Sequence, residues 1–354
     1  MKSSHPDESS EPPRLGGSDD SSVAGGGPSL AAPVTDAPLL AARDWLGYVS
    51  QYGVIAALVV ATLIFSLIRP EAFLTTSNFR SILASSAPLA ILAVGLTVVL
   101  VMQQFDLSIG AMVGLSSSIV VVLMTTYQVN WPVAALVALG AGLLVGLLNG
   151  ALIAYAGTPS FITTLAMGTT MTGVEFMVTG QRSIFQPLPD GFLKLGGSRP
   201  LWEVNSTVLF AGGVAILGWL LLEKTEVGRY MRAVGANPEA ARLSGLQVRS
   251  QMLAGFVIVA FSAALVGVLI SSRTSAYTPN SGTAYLLPTF AAAFLGAATG
   301  GRGRFNVTGT VVGVLLLGVI RTGLTMMQFS TDIVKIVQGT ILIGAMLLTR
   351  VKKR

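Results

Sequence analysis

The fold is decided by residues 223–250, EKTEVGRYMRAVGANPEAARLSGLQVRS, a polar island that interrupts long apolar segments on both sides. The island holds five basic and three acidic residues. Because Lys and Arg concentrate in the cytoplasmic loops of membrane proteins, we expect this segment to be cytoplasmic. The chain is then a set of membrane-spanning segments arranged around one cytoplasmic loop.

The second half of the island predicts a short helix with both ends marked. Asn237 is a good N-cap, Pro238 suits the first helical position, and Glu239 complements the positive helix end. The strong helix formers that follow are Ala240, Ala241, Arg242 and Leu243. Gly245 can take the left-handed conformation that ends a helix. Because so short a helix is marginal alone in water, it either rests on the membrane surface or docks onto a cytoplasmic partner, and we favour docking.

The composition predicts an all-α, polytopic membrane protein. Apolar residues make up 52% of the chain and charged residues 11%, against roughly 25% charged in soluble domains. The mean hydropathy is +0.72. The 40 glycines suit helices that pack closely in lipid, because small residues let backbones approach.

Several classes of chemistry are excluded by what the sequence lacks. There is no cysteine, and the single histidine, His5, lies in a polar tail. Thiolate metal sites and histidine acid–base chemistry are therefore excluded, and we expect neither a metal nor a bound cofactor in this chain. No Gly-Lys pair is present, so the chain carries no Walker-type ATPase site. We expect a non-enzymatic protein.

Residues 1–44 differ from the rest of the chain. They are rich in Ser, Gly, Pro and Asp and hold three basic and seven acidic residues, which leaves the remainder at a formal charge of +10. We expect a disordered cytoplasmic tail over 1–44 and a transmembrane domain over 45–354. We attribute the basic excess to membrane topology and expect no nucleic-acid partner.

A bilayer core takes about 20 helical residues, and on that length the sequence predicts ten spans. They lie near 49–68, 81–102, 107–126, 131–155, 160–178, 206–222, 251–271, 284–298, 306–322 and 332–349. With the tail inside, six crossings return the chain to the cytoplasm at Lys224, and four more leave the basic residues 352–354 there. Both termini are then cytoplasmic. The span at 284–298 is short and holds Pro288, so it is either a crossing or a broken, re-entrant segment.

Polar groups within apolar surroundings mark a candidate path. Asp106 lies in QQFDLSIG (residues 103–110), a polar break between two apolar runs. It either caps the helix that follows or has a functional role. The second alternative arises because burying an ionisable group in or near the membrane costs free energy, so such groups are usually functional. Asn149 and Glu175 lie inside spans and either face a polar path or bond a neighbouring helix. The long outer loop, 179–205, is either a solvated connector or a platform for an extracytoplasmic partner.

Seven sequence blocks lie in a fixed order along the chain: FLTTSNFRSIL (73–83), LAILAVGLT (89–97), DLSIG (106–110), GRYMRAVGANPEAARLSG (228–245), AAAFLG (291–296), GRGRF (301–305) and GT (309–310). Together they resemble the permease subunits of ribose-type sugar ATP-binding-cassette (ABC) importers. The resemblance covers roughly residues 45–350.

The resemblance implies an importer subunit of the bacterial inner membrane with several partners. These are a cytoplasmic ATPase subunit with two nucleotide-binding domains that uses ATP-Mg, a periplasmic or lipid-anchored sugar-binding protein, a second permease copy in a homodimer, and membrane lipid. The block 228–245 matches the coupling loop that seats on the ATPase. The coupling residues implied are Gly228, Arg229, Arg232, Asn237, Pro238, Glu239, Ala240, Ala241 and Gly245. Gln103, Gln104, Asp106, Ser108, Asn149 and Glu175 are the candidates for the path.

Two departures from the family bear on the substrate. Gln103, Gln104 and Phe105 stand where the family commonly has Gly-Gly-Ile, and residues 285–288 read YLLP where it often has Tyr-Glu-Leu-Asp. We therefore expect a monosaccharide or related small polyol and leave its identity open. The alternatives are an ion-coupled secondary transporter, disfavoured by the few ionisable groups within the spans, and a permease for branched-chain amino acids, which lacks the Asp-Leu-Ser signature.

Overall fold

The computed structural model describes the backbone of residues 37–299 and 303–351 and the side chains of 52–299 and 303–346. The chain divides into two units, Met1–Ala42 and Arg43–Arg354, and the helical bundle belongs to the second. Of the predicted tail, residues 1–36 lie outside the described residues, as do residues 300–302 and the basic cluster at 352–354. The first helix already begins at Ala37, inside the stretch that we predict to be disordered.

The described part of the chain is all-helical and contains no β-strand, as the composition predicts. Its α-helices are α1 (Ala37–Ile68), α2 (Pro70–Phe73), α3 (Thr76–Val101), α4 (Ile109–Thr125), α5 (Trp131–Ala154), α6 (Ser160–Thr179), α7 (Asp190–Gly197), α8 (Ser206–Trp219), α9 (Glu226–Ala236), α10 (Pro238–Leu243), α11 (Val248–Thr274), α12 (Thr283–Ala298), α13 (Val307–Met326) and α14 (Thr331–Val351). A π-helical turn, Leu220–Lys224, continues α8.

A helix lies at each of the ten predicted spans. Within the described residues, six helices are long and apolar enough to cross a membrane, namely α3, α5, α6, α8 with its π turn, α11 and α13. Shorter apolar helices cover 52–68, 109–125 and 283–298. The count of ten crossings and the side on which the termini lie stay predictions. Helix α12 runs unbroken through Pro288.

Helix α11 lies at the centre and packs against α3, α4 and α5. Its contact with α5 depends on glycines spaced four residues apart. A Cβ on Gly146 would lie 2.7 Å from the Cα of Val257, and a Cβ on Gly150 would lie 2.9 Å from the Cα of Leu253. The two backbones therefore touch directly, which is the close packing that the glycine content predicts.

The loop 179–205, which we predict to lie on the outer side, is an ordered structure attached to α11. The hydroxyl of Ser272 accepts a hydrogen bond from the backbone N–H of Gly196 (2.7 Å) and donates one to the carbonyl of Phe192 (2.5 Å). Phe192, on α7, is fully buried. Because α7 is fixed in this way, the loop presents a defined surface.

Candidate functional site

The polar break predicted around Asp106 separates α3 from α4. Helix α3 ends in a Schellman motif, in which the N–H of Gln104 donates to the carbonyl of Val99 and the N–H of Gln103 donates to that of Leu100, each at 3.0 Å. Gln103 occupies the left-handed position of this motif, with φ +59°. Glycine is favoured there because a side chain costs about 1–2 kcal/mol. Gln103 is therefore held in a strained conformation, with its side chain exposed.

Asp106 is fully buried and organises the start of α4. Its Oδ1 accepts hydrogen bonds from the backbone N–H of Ser108 (2.8 Å) and from the Ser108 hydroxyl (2.5 Å). The amide of Asn149, on α5, donates to the same hydroxyl at 3.1 Å. The structure thus brings three of the predicted path residues together. Among the described residues, Asp106 Oδ2 and Asn149 Oδ1 have no hydrogen-bond partner.

Helix α6 supports the same break through two hydroxyls that the sequence pattern did not single out. The N–H of Phe105 donates to Ser160 Oγ (3.2 Å), and the N–H of Leu107 donates to Thr164 Oγ1 (3.0 Å). The sequence feature that could have identified them is a pair of hydroxyl residues four positions apart, Ser160 and Thr164, at the start of an apolar helix. Phe105 remains 36% exposed and stacks on Phe290, with ring centroids 6.4 Å apart.

Glu175 belongs to a separate buried cluster. Its Oε1 accepts hydrogen bonds from the hydroxyl of Tyr277 (2.8 Å) and the N–H of Asn280 (3.1 Å). It lies against Gly114, six residues and about 9 Å beyond Ser108 along α4. Glu175 therefore ties α6 to the segment that precedes α12 and does not join the Asp106 group.

The predicted helix of the polar island is present as α10, with both predicted ends. Asn237 Oδ1 accepts from the N–H groups of Glu239 (3.1 Å) and Ala240 (3.0 Å), Pro238 is the first helical residue, and Gly245 follows with φ +83°. Residues 237–240 are exposed, whereas Ala241 is buried. Leu243 is 79% exposed on the same helix.

Each of the three acidic residues of the island pairs with one of its arginines, and most of these groups face solvent. Arg229 pairs with Glu226 at 3.4 Å, and Arg242 pairs with Glu239 at 2.6 Å. The hydrogen bond from Arg242 holds the pKa of the Glu239 carboxyl below its usual range. The Arg232 guanidinium contacts Glu223 and donates to the carbonyl of Leu222 at 3.1 Å.

Helix α9 attaches the island to the end of α3. Gly235 lies so close to α3 that a Cβ on it would stand 2.0 Å from the carbonyl oxygen of Val101. Met231 and Val234, on the same helix, are fully buried. Gly228 lies against the π turn, where a Cβ would stand 2.3 Å from the Leu221 carbonyl oxygen. The polar island is therefore packed two residues from Gln103, where the break begins.

Comparison with known proteins places these features in a family context. A family described as "Branched-chain amino acid transport system / permease component" matches residues 78–346. The ribose import permease protein of Escherichia coli K12 is 32% identical over 314 residues, which cover 88% of this chain and 96% of that protein. The galactose/methyl galactoside import permease protein of the same strain is 30% identical (88% and 97% covered), and its D-allose transport system permease protein is 29% identical (85% and 91% covered). No solved structure matches the chain.

Proposed function

The chain belongs to this family of ABC importer permeases, and on that basis we propose that it carries a monosaccharide or a related small polyol into the bacterial cell. It is a non-enzymatic, multi-pass protein of the inner membrane. The structural observation that supports the proposal is the packing of Gly235 on Val101, because it joins the predicted coupling loop to the polar break.

The sugar class is supported by the relatives whose names state ribose, D-allose, and galactose or methyl galactoside. The family description names branched-chain amino acids, so a permease for leucine-like substrates is the second candidate. The two are separated by uptake assays with labelled ribose, galactose and leucine in cells that depend on this chain. Sugar uptake without leucine uptake supports the proposal, and the reverse result supports the alternative.

For the solute path, the exposure of the side chains suggests a division of roles around the break. Gln103 and Phe105 are exposed and Gln104 is half-buried, so these residues are placed to contact a passing solute. Asp106, Ser108 and Asn149 are buried and linked by hydrogen bonds, so we assign them the frame that holds the break in place. Glu175 fixes the far end of α6 and lies off the proposed contact surface.

For energy coupling, we assign the exposed surface of α10 to a partner ATPase with two nucleotide-binding domains that holds ATP-Mg. Binding and hydrolysis there shift an equilibrium between outward-open and inward-open states of the permease. Arg229, Glu239 and Leu243 are exposed to such a partner. Arg232 is half-buried against Glu223 and is therefore less accessible. Movement of α9 would be passed directly to the end of α3.

The remaining partners follow from the same proposal. A second copy of the chain completes a central path, and a periplasmic or lipid-anchored binding protein delivers the sugar. The ordered outer loop with α7 offers that protein a defined surface. An uncoupler experiment distinguishes this importer from an ion-coupled carrier. Uptake by cells that retain ATP should continue after the proton gradient is collapsed, whereas an ion-coupled carrier would stop.

A further inference from the structure

A cationic cleft lies where two candidate spans end, away from the polar break. It has a volume of about 460 Å³, within the range of ligand pockets. The residues that line it are Trp219, Glu223, Lys224, Arg232, Thr299, Arg304, Asn306 and Thr308. One candidate span ends at Lys224 and another begins at Val307, so the cleft lies at the membrane boundary.

Packing between α8 and α13 places the two walls of the cleft side by side. A Cβ on Gly218 would lie 2.6 Å from Val94 and 3.7 Å from Val307, so α8 ends directly against the start of α13. The π-helical turn, Leu220–Lys224, follows at once and directs Lys224 to the cleft.

The charge of the cleft is unbalanced. Among the described residues that line it, Glu223 is paired with Arg232, which leaves Lys224 and Arg304 as the other charged groups. Within the described part of the chain, neither of these two cations forms an ion pair. The ammonium of Lys224 lies 5.0 Å from the centroid of the Trp219 ring. The cleft therefore presents two positive charges beside an aromatic residue of the kind that sits at lipid headgroup level.

An exposed apolar strip leads into the cleft from the membrane side. Ile216, Leu217 and Leu220 are 60%, 66% and 40% exposed on α8 and its π turn, immediately before the cationic residues. Acyl chains can cover such a strip, whereas a free phosphate or an acidic side chain of a soluble partner cannot. The cationic cleft matches the phosphate headgroup of a phospholipid, and the apolar strip beside it matches the acyl chains.

We propose that this cleft binds the headgroup of an anionic phospholipid, with Lys224 and Arg304 contacting the phosphate and the acyl chains lying along Ile216, Leu217 and Leu220. Basic pockets between spans are suited to such headgroups. The Thr308 hydroxyl, which also lines the cleft, supplies a further polar contact. The proposed topology decides only which leaflet supplies the lipid, and it places the cleft at the inner leaflet. The lipid site does not depend on which sugar is carried.

The test measures lipid binding to the purified full-length chain by native mass spectrometry. Dioleoyl phosphatidylglycerol is titrated against dioleoyl phosphatidylcholine, which has the same acyl chains and no net charge. We expect selective retention of phosphatidylglycerol. The double variant Lys224→Gln/Arg304→Gln should bind it about 30-fold more weakly, because each basic residue near an anionic membrane surface strengthens binding about fivefold.

The matched control is Arg242→Gln/Arg249→Gln, which removes the same amount of charge from exposed positions of the polar island that lie outside the cleft. It should bind phosphatidylglycerol like the unaltered chain. Equal binding by the cleft variant, or an equal loss in the control, would overturn the proposal. So would displacement of the lipid by millimolar inorganic phosphate, which would indicate a free-anion site. If the cleft variant binds the lipid normally but no longer binds the ATPase subunit, the cleft is a contact site for that subunit instead.

Discussion

Gly235 of α9 and Val101 of α3 lie in direct backbone contact, with room for no side-chain atom between the glycine and the Val101 carbonyl oxygen. The residues are 134 positions apart in the sequence, and the contact joins the polar island to the helix end that precedes Gln103. A packed junction of this kind passes displacement from one element to the other, because close-packed interiors have little free space to absorb it.

Substituting Gly235 by Ala should separate the two helices and reduce uptake at least about tenfold, the equivalent of about 1.4 kcal/mol. The new Cβ would stand 2.0 Å from the Val101 oxygen, so α9 must shift. Uptake and ATPase activity of the assembled importer are measured together. We expect ATP hydrolysis to continue while transport falls, since the exposed surface of α10 is unchanged.

The control for this substitution is Gly213→Ala in α8, where an added Cβ meets no atom within 4 Å. Both changes add the same methyl group and raise helix propensity by about 1 kcal/mol. Normal transport by Gly235→Ala, or an equal loss by Gly213→Ala, would contradict a coupling role for the contact.

We predict that Gln103 lowers the stability of the protein but is needed for transport. Replacing Gln103 by Gly should relieve its left-handed backbone and raise the free energy of unfolding by about 1 kcal/mol. It should also lower uptake, because an exposed polar group of the proposed path is lost. Thermal unfolding in detergent and sugar uptake are the two measurements.

A second glutamine supplies the comparison. Gln328 occupies the same position of a Schellman motif at the end of α13, with φ +62° and its N–H donating to the carbonyl of Thr325 at 3.0 Å. Gln328→Gly should gain similar stability and leave uptake unchanged. Full uptake by Gln103→Gly would remove Gln103 from the path.

Asp106→Ala should abolish uptake, whereas Asp106→Asn should retain at least about half of it. Alanine leaves the buried N–H and hydroxyl of Ser108 without their acceptor, which costs about 1–3 kcal/mol. Asparagine keeps an oxygen at the Oδ1 position and removes the charge. Uptake is measured at matched membrane levels of each variant, with Asp332→Ala, at an exposed acid on α14, as the control. Normal uptake by the alanine variant would show that the Asp106 hydrogen bonds are not needed to hold the break in place. Loss of uptake in the asparagine variant would show that the negative charge itself is required.

Leu243→Ser should weaken association with the ATPase subunit by at least about tenfold, because burial of a leucine at an interface contributes roughly 1.5–3 kcal/mol. The permease itself should unfold at an unchanged temperature, since Leu243 is 79% exposed. Affinity is measured by titrating the purified ATPase onto the permease in nanodiscs. Leu201→Ser, at a 53% exposed leucine of the outer loop, should bind the ATPase normally. Normal ATPase binding by Leu243→Ser would show that α10 is not the docking helix.

The helices at the ten predicted spans and the short helix α10 were predictable from local sequence, whereas α2, α7 and α9 were not predicted. Span length, hydropathy and the capping signals around Asn237 depend on neighbours in the chain, and each predicted span coincides with a helix. The left-handed position at Gln103 also had a local signal, because the resembling family commonly has glycine there.

The contacts between helices were not predictable in the same way. Nothing in the local pattern places Asn149 on the hydroxyl of Ser108, or Tyr277 on the carboxylate of Glu175, because these contacts depend on how whole helices pack. The sequence prediction placed Glu175 and Asp106 on the same path only because both are polar groups in apolar surroundings. The fold separates them along α4, with Glu175 beside Gly114 and Asp106 before Ser108.

Dependence on an ATPase is tested most directly by sugar uptake into proteoliposomes that contain the purified chain, with and without its ATPase, the binding protein and ATP-Mg. We predict uptake only when all components are present, and none from the permease alone under any ion gradient. Uptake by the unaided chain, driven by a proton or sodium gradient, would contradict the assignment as an ATP-driven importer subunit.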